Sequence, residues 1–201
     1  MSVPSTALLA VRFAYADPPY PGCARLHYKA DPSGIPAEEV DFAALLAELQ
    51  TFDSWALSTH TPSLRWILPM CPEGTRIGAW VKPFCPFRGQ RIAYAWEPLL
   101  FFNPRNKKDK TQMTVRDWVS ETPPVFERKN IGPTKGQKGR GFCFWMFDMM
   151  GLRECDELCD LFPGSGAVSH YFRLWLAEKP WICTANSALC ATQPEQRKER
   201  T

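Results

Sequence analysis

The chain has 201 residues, of which 45% are apolar, 22% charged and 13% aromatic, and its formal net charge is +3. That balance excludes disorder, collagen and coiled coil, and the length suits one domain, 1–201, with a core of its own. No run nears ~18 uninterrupted apolar residues and no basic flank precedes the short apolar run ending at Leu9, so a cytoplasmic location is expected, without membrane insertion or secretion.

In chain order, Ala7–Tyr15 is β-prone and mostly apolar, as a buried strand should be, and Asp17-Pro18-Pro19-Tyr20 stops it. Ile35, Val40, Leu45, Leu46 and Leu49 follow at near-helical spacing behind Pro36, with Glu38 and Glu39 in the first turn, which predicts a crossover helix. Ser54–Ser58 is a second short strand. Thr61 then serves as an N-cap, with Pro62 opening a helix to about Met70. This βαβα rhythm predicts a parallel sheet. Arg76–Val81 and Arg91–Phe102 read as strands, and the connection 82–90 suits antiparallel neighbours, so a reversed hairpin strand is expected at one sheet edge. Beyond an irregular stretch, Phe142–Gly151 is a short helix, Glu157–Phe162 a strand, and Pro163–Gly166 the opening of a helix to about Ala177. Trp181–Thr184 fits a last strand, and 193–201 is a charged tail. The expected fold is α/β: Rossmann-like, with a mostly parallel sheet, one reversed edge hairpin strand and helices on both faces.

Charge is unevenly spread. Between 103 and 141 lie ten basic residues and four acids, a local +6 that leaves −3 for the rest of a chain whose total is +3. Such a segment suits phosphate, and Lys107, Lys108 and Lys110 are its densest cluster. A solvated loop has the same composition. The eight cysteines include no Cys-x-x-Cys, the closest pair being Cys155 and Cys159, and His27, His60 and His170 are scattered, so reduced thiols and no metal site are expected.

Two short motifs carry chemistry. Asp160-Leu161-Phe162-Pro163-Gly164-Ser165-Gly166 joins a predicted strand to a predicted helix, and its glycines let backbone approach a ligand at the strand's C-terminal edge. Free amides at the following helix start suit an anionic group. Asp17-Pro18-Pro19-Tyr20 sets an acceptor, a rigid carbonyl-bearing turn and an aromatic face at the end of the first strand. Those parts suit an exocyclic amine of adenine or cytosine, whose lone pair is delocalised into the ring. When the Asp17 carboxylate and the Pro18 carbonyl accept its two N–H groups, the nitrogen is drawn toward tetrahedral geometry and can attack. Tyr20 would stack on the base, which must leave its helix to enter such a pocket. A plain proline turn and a plain Gly-Ser-Gly connection are the structural alternatives.

Taken together, these residues resemble the amino-methyltransferases that move a methyl group from S-adenosylmethionine to N6 of adenine or N4 of cytosine in DNA. Asp17-Pro-Pro-Tyr20 precedes Phe162-x-Gly164-x-Gly166 with the basic segment between them, an order similar to the circularly permuted class β of that family. Thr134-Lys-Gly-Gln-Lys138 and the helix after it resemble a degenerate form of the family's segment before the cofactor loop, without its Lys-Pro pair. Trp80-Val-Lys82 followed by Tyr94-Ala-Trp-Glu97-Pro resembles the family's late-sheet hairpin. The resemblance spans roughly 7–175. It implies that Asp17, Pro18, Pro19 and Tyr20 hold the target amine and that Asp160, Phe162, Pro163, Gly164, Ser165 and Gly166 form the S-adenosylmethionine turn. It also implies a nucleic-acid partner, most directly DNA, and a target-recognition element within 103–141, with monomer and homodimer both open. Where family members carry an acid for the ribose hydroxyls, this chain offers Asn186.

His60, after the second strand, points toward the same edge as Asp17 and joins Lys82, Lys107, Lys108 and Lys110 on the substrate side. Glu97, beside Trp96 and Pro98, reads more readily as a surface charge than as a pocket residue. Trp55, Trp145 and Trp175 read as core, and His170 as structural. Asp at the first motif position favours adenine by the resemblance. N4-cytosine or RNA methylation, and a nucleic-acid-binding protein on a decayed methyltransferase scaffold, remain alternatives.

Overall fold

The structure, a computed structural model, describes residues 10–21, 39–83, 91–106, 114–121 and 137–179. Six strands, β1 (Arg12–Ala16), β2 (Ser54–Ser58), β3 (Arg76–Val81), β4 (Trp96–Phe102), β5 (Trp118–Ser120) and β6 (Glu157–Asp160), form one sheet in the order β5-β3-β4-β2-β1-β6. β1 pairs in parallel with both β2 and β6, β3 is parallel to β5, and β4 runs against β2 and β3. The sheet is therefore mostly parallel with one reversed strand, as the α/β reading expects. That strand, β4, is paired on both sides instead of lying at the margin, because β3 turns back outside it and β5 adds beyond β3.

The apolar residues of the inner strands alternate between two cores. Phe13, Tyr15, Ala56, Leu99 and Phe101 face one way, while Ala14, Ala16, Trp55, Leu57 and Leu100 face the other. Helix α1 (Phe42–Leu49) buries Phe42, Leu45, Leu46 and Leu49 against the second face. Its cap is Asp41, whose Oδ1 accepts from the Ala43 and Ala44 amides at 2.9 and 3.1 Å. Glu39 thus precedes the helix, and Ile35 and Glu38 lie outside the described residues. Thr61–Met70 winds as a 3₁₀ turn, the short helix α2 (Leu64–Ile67) and a second 3₁₀ turn. His60, not Thr61, stands at its N-cap, and Pro69 interrupts it by lacking an amide donor.

The opposite face is covered by α3 (Arg140–Met150) and α4 (Ala167–Glu178). Glu121, just past β5, accepts from the Gly141 and Phe142 amides at 2.7 and 2.8 Å, supplying the cap that Gly139 lacks. A Cβ at Gly139 would come within 2.7 Å of that carboxylate, so a larger residue there would displace the Glu121 side chain from the helix start. Trp55, Trp145 and Trp175 are core residues. His170 lies in α4, its ring edge-on to Tyr171. Strand β5 was not expected, and the strand predicted from Arg91 begins only at Trp96. The predictions for Ala7–Leu9, 181–184 and 193–201 fall outside the described residues.

At the N-terminal edge of the sheet, the Arg105 guanidinium makes a two-pronged bond to Asp156 at 2.7 and 2.8 Å and also donates to the Gly151 carbonyl. Asp156 Oδ1 further accepts the Val11 amide, which ties β1, α3 and β6 together at the edge away from the motifs. No described helix is long and apolar enough to cross a membrane.

Candidate active site

The two motifs meet. β1 and β6 are adjacent and parallel, with Tyr15 in register with Asp160, and the Leu161 amide donates to the Tyr15 carbonyl at 2.9 Å. Asp17 and the 160–166 turn therefore leave neighbouring strands at the same C-terminal edge, where open α/β sheets bind ligands. The β2 end brings Thr59 and His60 to this edge, with the Thr59 amide donating to Pro98 at 3.1 Å, and antiparallel β4 brings Glu97 to it at its start.

In the glycine turn, Gly164 and Gly166 both adopt left-handed φ, 48° and 75°, and a Cβ on Gly166 would meet nothing within 4 Å. The turn is thus open space lined by backbone, and Gly166 caps α4. Asp160 Oδ1 accepts the Phe162 amide at 3.3 Å, whereas Oδ2 is buried with no hydrogen-bond partner. Burial pushes the Asp160 carboxyl up to about 6; the Phe162 amide opposes this and the nearby Asp17 charge adds to it. An unpartnered buried carboxylate beside an open backbone turn suits a ligand carrying positive charge.

On the other side of Asp17 lies a charge network. Lys138, immediately before α3, is 4% exposed and donates to Asp17 Oδ1 at 2.9 Å, with Glu97 Oε2 3.8 Å away. Its ammonium sits over the rings of Trp80 and Phe142 at 5.3 and 5.8 Å. Lys82 donates to Glu97 Oε1, and the Tyr20 hydroxyl donates to Glu97 Oε2 at 2.9 Å. Tyr20 also stacks on His60, with centroids 5.1 Å apart and planes 10° from parallel, and His60 Nδ1 is 2.8 Å from Ser63 Oγ. Beneath them Tyr15 and Ser58 join their hydroxyls at 2.8 Å.

These contacts set the charge states. Burial raises Asp17 above the ordinary carboxyl range, with Lys138 opposing it. For Glu97, burial pushes upward too, but Lys138, Lys82 and the Tyr20 hydroxyl outweigh it, and the net direction is down. Burial lowers His60, which favours its neutral form. Burial also raises the Tyr20 hydroxyl well above its usual value, so it acts as a donor.

Of the residues singled out in the sequence, Asp17, Pro18, Pro19, Tyr20, His60, Lys82 and the 160–166 turn gather at one edge. Glu97 departs from expectation: its side chain is 21% exposed and is the hub of the network, because β4 runs backward and starts at this edge. Lys138 was visible only as part of a degenerate segment, and nothing local pairs it with a residue 121 positions away. Among the described basic residues of 103–141, Arg105, Lys138 and Arg140 are paired with Asp156, Asp17 and Glu178. Arg116 lies over Trp118. Lys107, Lys108, Lys110 and Asn186 lie outside the described residues.

The architecture is that of a Rossmann-like α/β protein, and solved structures share it. The M1.HpyAVI-SAM complex superposes with a TM-score of 0.53 at 16% identity, over 83% of this chain and 80% of that one. M1.HpyAVI alone gives 0.50 at 15% identity, over 83% and 78%. No family model and no curated protein matches the sequence. At such identities the likeness is one of fold.

Proposed function

We propose that this chain transfers a methyl group from S-adenosylmethionine to an exocyclic amine of a nucleobase, N6 of adenine in DNA. The observation that carries the reading is the adjacency of the Asp17 turn and the Asp160–Gly166 turn on parallel neighbours β1 and β6. That a fold neighbour was solved with SAM supports the same cofactor here.

The residues fit the cofactor. The unpartnered Asp160 Oδ2 would hold its ammonium, and the left-handed Gly164 and Gly166 would let backbone lie against it. When bound, it supplies an electrophilic methyl group. The chain's own part is to prepare the amine: the Asp17 carboxylate accepts one N–H and the Pro18 carbonyl the other, while Pro19 keeps the turn rigid. Tyr20 is fixed by Glu97 and stacked on His60, and the target base would lie against this aromatic pair. No general base is required, since the proton leaves after transfer. Lys107, Lys108 and Lys110 would serve phosphate.

Incubation with methyl-labelled S-adenosylmethionine and mixed-sequence DNA, followed by digestion to nucleosides, tests this. Label in N6-methyladenine, reduced at least ~100-fold by Asp17→Ala, is the expected result. Label in N4-methylcytosine alone would reject adenine, and no label in DNA or RNA would reject transfer. A second reading, a nucleic-acid-binding protein that has lost catalysis, is favoured by Asn186 standing where the family carries an acid. Calorimetry separates the two: micromolar S-adenosylmethionine binding supports the enzyme, and no heat at millimolar ligand supports the binder.

A further inference from the structure

The transfer reading needs Asp17 in one form only. A carboxylate accepts the amine N–H, whereas a protonated carboxyl offers an O–H and competes for the lone pair. The surroundings work against that form. Asp17 faces Glu97 from β4, Asp160 from β6, Tyr15 from its own strand, Tyr20 from its own loop and Cys143 from α3. His60 reaches this group through Glu97 and Tyr20. Lys82 is positive but bound to Glu97. Among the described residues, Lys138 is the cation hydrogen-bonded to Asp17, and Glu121 on the α3 start holds its segment in place.

We propose that Lys138 is a positioning residue: by bonding Asp17 Oδ1 from a buried site between Trp80, Phe142 and Glu97, it keeps Asp17 ionised and leaves Oδ2 for the target amine. The inference rests on the transfer reading and adds to it a residue that acts through Asp17 without touching base or cofactor. Burial alone would carry Asp17 upward, and Lys138 is the largest opposing influence. An opposite charge at such range moves a carboxyl by about one to three pH units.

The test follows the Asp17 side-chain carboxyl by ¹³C NMR through a pH titration of wild type, Lys138→Met and Lys138→Arg, with methyl transfer measured on the same samples. Lys138→Met should raise the Asp17 midpoint by about one pH unit or more and move the acid limb of kcat/KM by the same amount. KM for S-adenosylmethionine should stay unchanged, and Lys138→Arg should restore most of both shifts. An unmoved midpoint in folded Lys138→Met overturns the inference. Should that variant not fold, the wild type decides: the Lys138 ¹⁵Nζ signal must shift at the Asp17 midpoint, and a flat signal overturns the inference. The two readings fail separately. No label from wild type with a moved midpoint rejects transfer and keeps the ion pair's role, whereas normal transfer with an unmoved acid limb rejects Lys138 and keeps transfer.

Discussion

Replacing Asp160 with Asn should make the protein more stable and, on the proposed function, blind to S-adenosylmethionine. Asp160 Oδ2 is buried without a partner, and the carboxyl is pushed from 3.8 to about 6, chiefly by burial. A rise of that size makes the ionised form about 3 kcal/mol less favourable in the folded chain, at ~1.4 kcal/mol per pH unit. Partial contact with solvent, and the amide's own need for partners, reduce the gain to about 1–2 kcal/mol, or roughly 2–8 °C in melting temperature. The pH dependence has a definite sign. Because this acid's folded value lies above its unfolded one, the penalty is absent below about 3.8, builds between there and about 6, and is complete above. Thermal melts of wild type and Asp160→Asn should thus differ most at pH 8 and converge toward pH 4. Saturating S-adenosylmethionine should raise the wild-type melt and leave the variant unmoved. A variant that melts below wild type at pH 8, or a gain equal at pH 4 and pH 8, would refute the claim that Asp160 holds an uncompensated charge awaiting a cation.

Other outcomes follow from the same geometry. Arg105→Ala leaves Asp156, whose side chain is 0% exposed, without its guanidinium, and should cost about 3–5 kcal/mol in urea denaturation; a loss under ~1 kcal/mol would mean the Val11 and Arg153 amides suffice. Glu121→Ala removes the α3 cap and should cost about 1–2 kcal/mol by the same measurement, with no effect expected on a chain whose helix start is held elsewhere. Changing Lys107, Lys108 and Lys110 together to Ala should weaken DNA binding at low salt and flatten the slope of log affinity against log salt by about 2–3. An unchanged slope would place the phosphate contacts on other residues.

What the sequence disclosed was local. Asp17-Pro-Pro-Tyr20 and the 160–166 turn are contiguous, and each carries its geometry in its proline or glycines. Ser54–Ser58 and Arg76–Val81 are legible because β-prone runs lie between turn signals, and the structure starts and ends them as read. Three-residue β5 was illegible, since Trp118–Ser120 has too few positions to show a period. The site's charge network was hidden for a different reason: Asp17, Lys82, Glu97 and Lys138 come from four segments, and only the sheet order brings them together. The reversed sense of β4 turned Glu97 from an expected surface charge into a half-buried hub. The α1 start moved to Asp41 because a side-chain acceptor bonding two free amides outweighs the weaker signal from Pro36 and its following acids.

A crystal structure of the protein soaked with S-adenosylmethionine bears most directly on whether one ligand bridges the two loops. The cofactor's ammonium is expected on Asp160 and its backbone-facing side along Gly164–Gly166, with the methyl group directed at the Asp17 carboxylate. Density for the cofactor at any other edge of the sheet, or a methyl group turned away from Asp17, would contradict it.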